Sequence, residues 1–358
     1  MSSLLQKFKN REPFKVGVFF GGASSEKEIS LESGRHVYNS LDKTRYEVYP
    51  IFIDSKLRLW LIPESLLWMN TTADIERELT NYGAKQISFD ELKDYIDFAM
   101  LSSLHGKWVE DGCLQGALDI INMPYSGTDV LSAALGNDKY MQKQVFKANG
   151  VNVAKDFLIN KKDWEQDKDK VIKQLQEELE FPIIVKPVRE GCSTAVNKLN
   201  SVEELDKALK DVFKWDKTAL AEEFIDGIEI TCTVMGNNEV EALTPTQTPA
   251  KAEVLSLEEK FLPGDASMLT PPPDMSPEEV EKAKQEFVKA YRALGIKVYC
   301  RIDAFWTKDQ KLVVLEVNTL PGVTPSTMVF HQAIEKGWSP TEFFDRVIEL
   351  SLEKYEDA

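Results

Sequence analysis

Arg301, Asp303, Glu316 and Asn318 are the residues whose types and spacing could do chemistry together. Val298 to Trp306 and Leu312 to Asn318 read as strands around the polar loop Lys308-Asp309-Gln310-Lys311, a good length for a hairpin. If Thr307 faces Leu312, then Asp303 faces Glu316 and Arg301 faces Asn318, and period-two alternation puts all four on one side. Cys300, Ile302, Ala304, Leu315 and Val317 then make the other side, which can be buried. Two carboxylates opposed across a sheet repel and ask for a cation. Two acids with an amide oxygen suit Mg²⁺, which takes hard oxygen ligands and completes its shell with water and substrate phosphates. The alternative is that both acids are solvated or paired with lysines, but an arginine and an asparagine on the same face are more than solvation needs.

The elements that must position this hairpin belong to a chain of 358 residues, long enough for two or three domains and a closing cleft. Phe14 to Phe20 reads as an apolar strand running into Gly21-Gly22 and a helix from about Ser25 to Leu41, the opening of an α/β domain. The helix start offers N–H groups to an anion, but the sequence is not the dinucleotide fingerprint. Ser25 and Glu28 also have the spacing of a capping box, so Glu28 either closes the helix or serves a ligand. Tyr46 to Ile53 and Tyr95 to Leu101 read as further strands, and no chemistry is assigned to the stretch between Asp54 and Leu92. His105 lies in a glycine-punctuated loop with Glu110 and Asp111, before a helix from Cys113 to Ile121.

A second group of elements follows. Asp138-Lys139 opens a helix to about Asn149, Lys155 to Ile159 is a strand, and Lys161 to Leu179 a helix. The strand Phe181 to Pro187 carries Lys186 at its end, where burial is costly unless the ammonium meets an anion. Gly191, Cys192, Ser193 and Thr194 then form a loop whose N–H groups could cover phosphates, although it is not the P-loop pattern. Strands at Leu220 to Ile225 and Glu229 to Met235 place Glu222, Glu223 and Glu229 where carboxylates could hold an adenosine or simply meet water. Residues 244–275 carry six prolines and little periodicity, the character of a lid or a disordered loop, and Ser276 to Leu294 is an amphipathic helix.

A net charge of −16 argues against nucleic acid as a partner. No apolar run approaches membrane-spanning length, and the first fourteen residues lack the apolar core of a secretion signal. Four scattered cysteines without metal-ligand spacing suit reduced thiols in the cytoplasm.

Taken in order, GGASSEKEISLESG, LHGKWVEDGCLQG, NDK, IIVKPVREGCST, EEFIDGIE, LEEKF, RID and LEVNTLPGVT resemble the D-alanine:D-alanine ligases of the ATP-grasp superfamily, across nearly the whole chain. The resemblance implies an α/β fold of three domains: a Rossmann-like parallel-sheet domain at 1–126, then two ATP-grasp domains at 127–225 and 226–358, the last carrying a lid at 244–275. It implies that ATP phosphorylates the carboxylate of one D-alanine and that the amine of a second attacks the acyl phosphate, in peptidoglycan precursor synthesis. By motif, Lys139 and Lys186 would hold the ATP phosphates, Glu222, Glu223, Phe224 and Ile225 would surround adenine, and Glu229 would take the ribose. Asp303, Glu316 and Asn318 would bind two Mg²⁺ ions, a set Mn²⁺ could also occupy. Glu28 would bind the first substrate's ammonium, with His105 nearby. Arg301 and the Gly322 N–H would stabilise the oxyanion. Ser193 and Lys260 would act from the two loops. A homodimer is also implied.

Three residues depart from the family pattern. Cys192 stands where a serine is common and Phe261 where the lid has tyrosine, two hydroxyls that belong to one network, so their joint loss is a coordinated change. Thr327 replaces a serine beside the second substrate. Phe261 resembles the branch that makes D-alanyl-D-lactate. The expectation is therefore D-alanine as second substrate, with D-lactate, another D-residue or a different amino acid as rivals. A nucleotide binder without catalysis is the distant alternative.

Overall fold

Phe14–Gly21 (β1) is apolar on both faces, the pattern of a strand covered on both sides, and it is buried along nearly all its length. In the computed structural model, which describes residues 2–191, 194–248 and 268–356, β1 is central to the first of three sheets. It pairs in parallel with Tyr46–Ile53 (β2) and Phe98–Met100 (β5). Leu59–Leu61 (β3) and Lys85–Ile87 (β4) then extend the sheet antiparallel, in the order β4-β3-β2-β1-β5. The expected parallel sheet is thus parallel only in its middle. The turn after β2 is too short for a crossover and reverses the chain, with buried Asp54 accepting from the Lys56 and Arg58 N–H groups at 2.9 Å each.

The second sheet is antiparallel, in the order β6-β9-β7-β8: Asp156–Asn160 (β6), Ile183–Pro187 (β7), Asn197–Leu199 (β8) and Thr218–Glu223 (β9). The single helix expected over Lys161 to Leu179 is two, Lys161–Gln166 and Lys168–Glu178. Asp167 leaves helical geometry between them and caps the second by accepting from Lys170 N at 3.1 Å.

In the third sheet, Gly227–Gly236 (β10) lies between Val240–Ala242 (β11) and Val298–Thr307 (β13), Leu312–Asn318 (β14) follows β13, and Thr246–Gln247 (β12) also pairs with β10. The helix Pro277–Ala293, opened by the Ser276/Glu279 capping box, packs Phe287 and Tyr291 into one cluster with Cys300, Ile302, Ala304 and Val317.

The hairpin keeps its chemistry by a route the sequence does not suggest. Leu312 pairs with Trp306, not Thr307, so the turn is offset by one residue. Between Ala304↔Val314 and Asp303↔Glu316 the register shifts, leaving Leu315 as the extra residue of a bulge. The two offsets cancel, so Asp303 still faces Glu316 and Arg301 still faces Asn318. Leu315 is not on the buried face. It turns to the same side as Glu316 and lines a pocket there.

The helix Pro340–Glu353 carries Phe343, Phe344 and Val347 into a cluster with Phe14, Val16 and Phe98 and with Leu5 and Phe8 of the helix Ser2–Lys9. Among the described residues no helix is long and apolar enough to cross a membrane. Cys192, Ser193, Lys260, Phe261 and most of the expected lid lie outside the described residues.

Candidate active site

Two adjoining pockets meet at Lys139, Glu190, Gly191 and Glu316. One is walled by Ala154, Ile184, Val196, Phe224, Ile225, Phe305 and Leu315, with Lys186, Glu222, Glu223 and Glu229 as its charged groups. Flat apolar walls with charges at one end suit a base joined to phosphates. The other is polar and collects Glu26, His105, Glu110, Arg301, Asn318 and Gly322.

The first pocket is made by strand register. Glu222 lies opposite Ile184 and therefore diagonal to Lys186, on the same face of β7 and β9. Its Oε2 is 2.5 Å from Lys186 Nζ, and Oε1 is bonded to Lys143. Burial pushes the Glu222 carboxyl up, but the two ammonium groups outweigh it and hold it down at about 2. Glu223 turns its side chain away, accepting from Lys155 N at 2.7 Å, and still contributes to the lining.

Asp138 caps the helix Lys139–Ala148 by accepting from Met141 N at 2.9 Å. Helical spacing then puts Lys139, Gln142 and Lys143 on one face. Lys139 Nζ donates to Glu190 O at 2.8 Å and pairs with Glu316 Oε2 at 3.0 Å. Burial alone would push this ammonium down, and Glu316 more than compensates, holding it above its ordinary value. Gln142, also buried, accepts from Val317 N at 2.9 Å and so fixes β14 beside its two candidate ligands. Sequence reading missed Gln142 and Lys143, although their spacing from Lys139 was the available signal.

Arg301 donates through Nε and Nη2 to both oxygens of Asp303 at 2.9 Å each, and Thr231 Oγ1 donates to Oδ1 at 2.5 Å. Arg301, Glu316 and Asn318 line the polar pocket, whereas Asp303 is buried and does not. The opposed acids therefore each have a cation, Arg301 for Asp303 and Lys139 for Glu316. Among the described residues no group of three or more His, Cys, Asp or Glu side chains could hold a metal. The donor set is two carboxylates and one amide oxygen, hard oxygens beside a polar pocket, which fits Mg²⁺ completed by phosphate oxygens.

Glu28 is not in this pocket. Its carboxylate accepts from Thr72 N at 3.0 Å and Thr72 Oγ1 at 2.6 Å, tying the helix Lys27–Ser40 to the segment after Asp54 to which no role was assigned. Nor does it cap: Glu26 occupies the N-cap position, with no side-chain cap bond. Two residues apart near a helix start point to different sides, and the side facing the pocket carries Glu26. A Cβ on Gly106, where φ is +84°, would lie 2.8 Å from Ser24 Oγ and 3.1 Å from Glu26 Oε2. One on Gly191 would lie 3.4 Å from Glu26 Oε1. The Glu26 carboxylate thus lies between two glycine loops. The signal for it was its position four residues after Gly22, at the mouth of the helix.

His105 lines the pocket, with Nε2 at 3.2 Å from Ser33 Oγ and Nδ1 at 3.6 Å from Glu110 Oε1. Thr327 does not line it. Its hydroxyl donates to Thr324 O at 2.9 Å, because it ends the turn that starts the helix Met328–Glu335.

Residues 15–128 match the family model described as D-ala D-ala ligase N-terminus, and residues 145–349 the one described as D-ala D-ala ligase C-terminus. The D-alanine:D-alanine ligase of Oceanobacillus iheyensis is 33% identical over 354 residues, covering 95% of each chain. The solved Bacillus anthracis enzyme of that name, complexed with ATP, is 30% identical with a TM-score of 0.73, covering 96% of this chain and 99% of that one. The VanG D-Ala:D-Ser ligase of Enterococcus faecalis is 26% identical with a TM-score of 0.81, covering 95% and 100%. The chain belongs to the D-alanine:D-alanine ligase family, the ATP-dependent ATP-grasp ligases of peptidoglycan precursor synthesis.

Proposed function

We propose that this chain activates D-alanine as an acyl phosphate and joins it to a second D-alanine. The observation that carries this reading is the junction of the two pockets at Lys139 and Glu316, with Arg301 and Gly322 across the polar one. ATP would lie with its base between Phe305, Leu315 and Ile225, its ribose at Glu229 and its phosphates at Lys139 and Lys186. Asp303, Glu316 and Asn318 would hold two Mg²⁺ ions, which supply charge neutralisation at the transferred phosphoryl group. Arg301, already fixed by both Asp303 oxygens, and the Gly322 N–H would meet the oxyanion. Glu26, in place of Glu28, would take the ammonium of the first substrate. Ser193 and Lys260 keep their expected roles in this reading, as do the domain limits near 126 and 225, a homodimeric state and a cytoplasmic location.

Phe261 and Cys192 favour a second reading, in which D-lactate replaces the second D-alanine. Phosphate release from ATP and Mg²⁺ is measured with D-alanine alone, then with D-lactate or D-serine added, and products are identified by mass spectrometry. Release with D-alanine alone and a dipeptide product is expected. Product only with D-lactate would transfer the reading to a depsipeptide ligase, and Phe261→Tyr should then move preference toward an amine. No release with any pair, or undiminished release in EDTA, would count against the proposed chemistry.

A further inference from the structure

Lys143 is a buried cation with no place in the reaction described above. It is 1% exposed and does not line the base-walled pocket, yet its ammonium is bonded to Glu222, which does. The other oxygen of Glu222 is 2.5 Å from Lys186. Across the ladder Glu222 faces a second acid, Asp156, which is bonded in turn to Lys147, with Gln144 Nε2 at 3.4 Å. Burial draws the Lys143 ammonium down, against the pull of Glu222. A dry ammonium is expensive to keep behind a pocket it cannot reach, so its contribution has to pass through the carboxylate it touches.

With Lys186 alone for company, Glu222 would form a closed ion pair, and the lysine's charge would be spent on it. With Lys143 neutralising the carboxylate from behind, Lys186 can turn to an anion without leaving Glu222 unpaired. Once Lys186 turns, Oε2 is an ionised acceptor facing the pocket. An exocyclic amine on the base would donate to it, and an exocyclic oxygen at the same place would be repelled.

We propose that Lys143 is a positioning residue for nucleotide selection, holding Glu222 as an ionised acceptor for the 6-amino group of adenine and leaving Lys186 available to the phosphates. This rests on the reading that the pocket takes ATP. Affinities for ATP and for inosine triphosphate, which carries oxygen in place of the 6-amino group, are measured by calorimetry on the full chain, wild type, Lys143→Met and Lys143→Arg. The expected result is that Lys143→Met weakens ATP about tenfold and narrows the preference for ATP by a similar factor, while Lys143→Arg keeps the preference. If Lys143→Met does not fold, Lys143→Gln, which keeps a donor to Glu222 without the charge, carries the same comparison. An unchanged ATP preference in the uncharged variant, or equal weakening of both nucleotides, overturns the inference. A wild type that binds neither nucleotide overturns the nucleotide reading itself, and this inference with it.

Discussion

The base-walled pocket and the polar pocket share Lys139, Glu190, Gly191 and Glu316, but they are built from different structure. The first is defined by strand ends, where residues two apart share a face and a neighbouring strand fixes the height of each side chain. The second is defined by a helix start and by loops, where one residue of phase changes which side chain points inward. The difference teaches where local sequence determines a site and where tertiary contacts do.

Glu316 belongs to both pockets, so its loss should affect both. Glu316→Ala and Asp303→Ala are expected to lower turnover at least about a thousandfold, since each removes an oxygen ligand and leaves Lys139 or Arg301 without its carboxylate. Steady-state phosphate release checks this. Retained turnover in either variant would detach the hairpin from the chemistry and leave the two pockets without a common centre.

The sheet side of the fold was largely legible. Alternation in Val298 to Trp306 and Leu312 to Asn318 is enough to bring Arg301, Asp303, Glu316 and Asn318 together. It could not show Leu315, because a bulge leaves no trace in a pattern of apolar residues when the turn beside it is offset by one in compensation. The break at Asp167 was equally hidden, since the apolar spacing of Lys161 to Leu179 carries through it. On the helix side, Ser25 and Glu28 had the right spacing for a cap, but the helix starts later and Thr72, distant in sequence, claims the carboxylate. A partner so far along the chain cannot be read from spacing.

The polar pocket alone should respond to Glu26→Gln. We expect kcat/KM for D-alanine to fall about a hundredfold, the scale of losing a charged hydrogen-bond partner in a partly enclosed site, with ATP affinity nearly unchanged. Leu315→Ala should give the complementary pattern. Removing its side chain from the pocket wall is expected to raise the KM for ATP about tenfold, near the transfer free energy of the lost methylene groups, and to leave the KM for D-alanine alone. If both variants raised both KM values equally, the two pockets would act as one site, and the contrast between strand-built and loop-built halves would have no functional meaning.

The smallest effect belongs to Glu28→Gln, and it discriminates most sharply between sequence and structure. The glutamine can still accept from Thr72 N or Oγ1 but brings no charge, and the position is exposed, so the expected loss of stability in urea is under about 1 kcal/mol. Turnover and the KM for D-alanine should stay at wild-type values. A large rise in that KM with unchanged stability would mean that Glu28 leaves Thr72 to meet the substrate. The phase of the helix start would then differ in the working enzyme, and Glu26 would be the residue without a ligand.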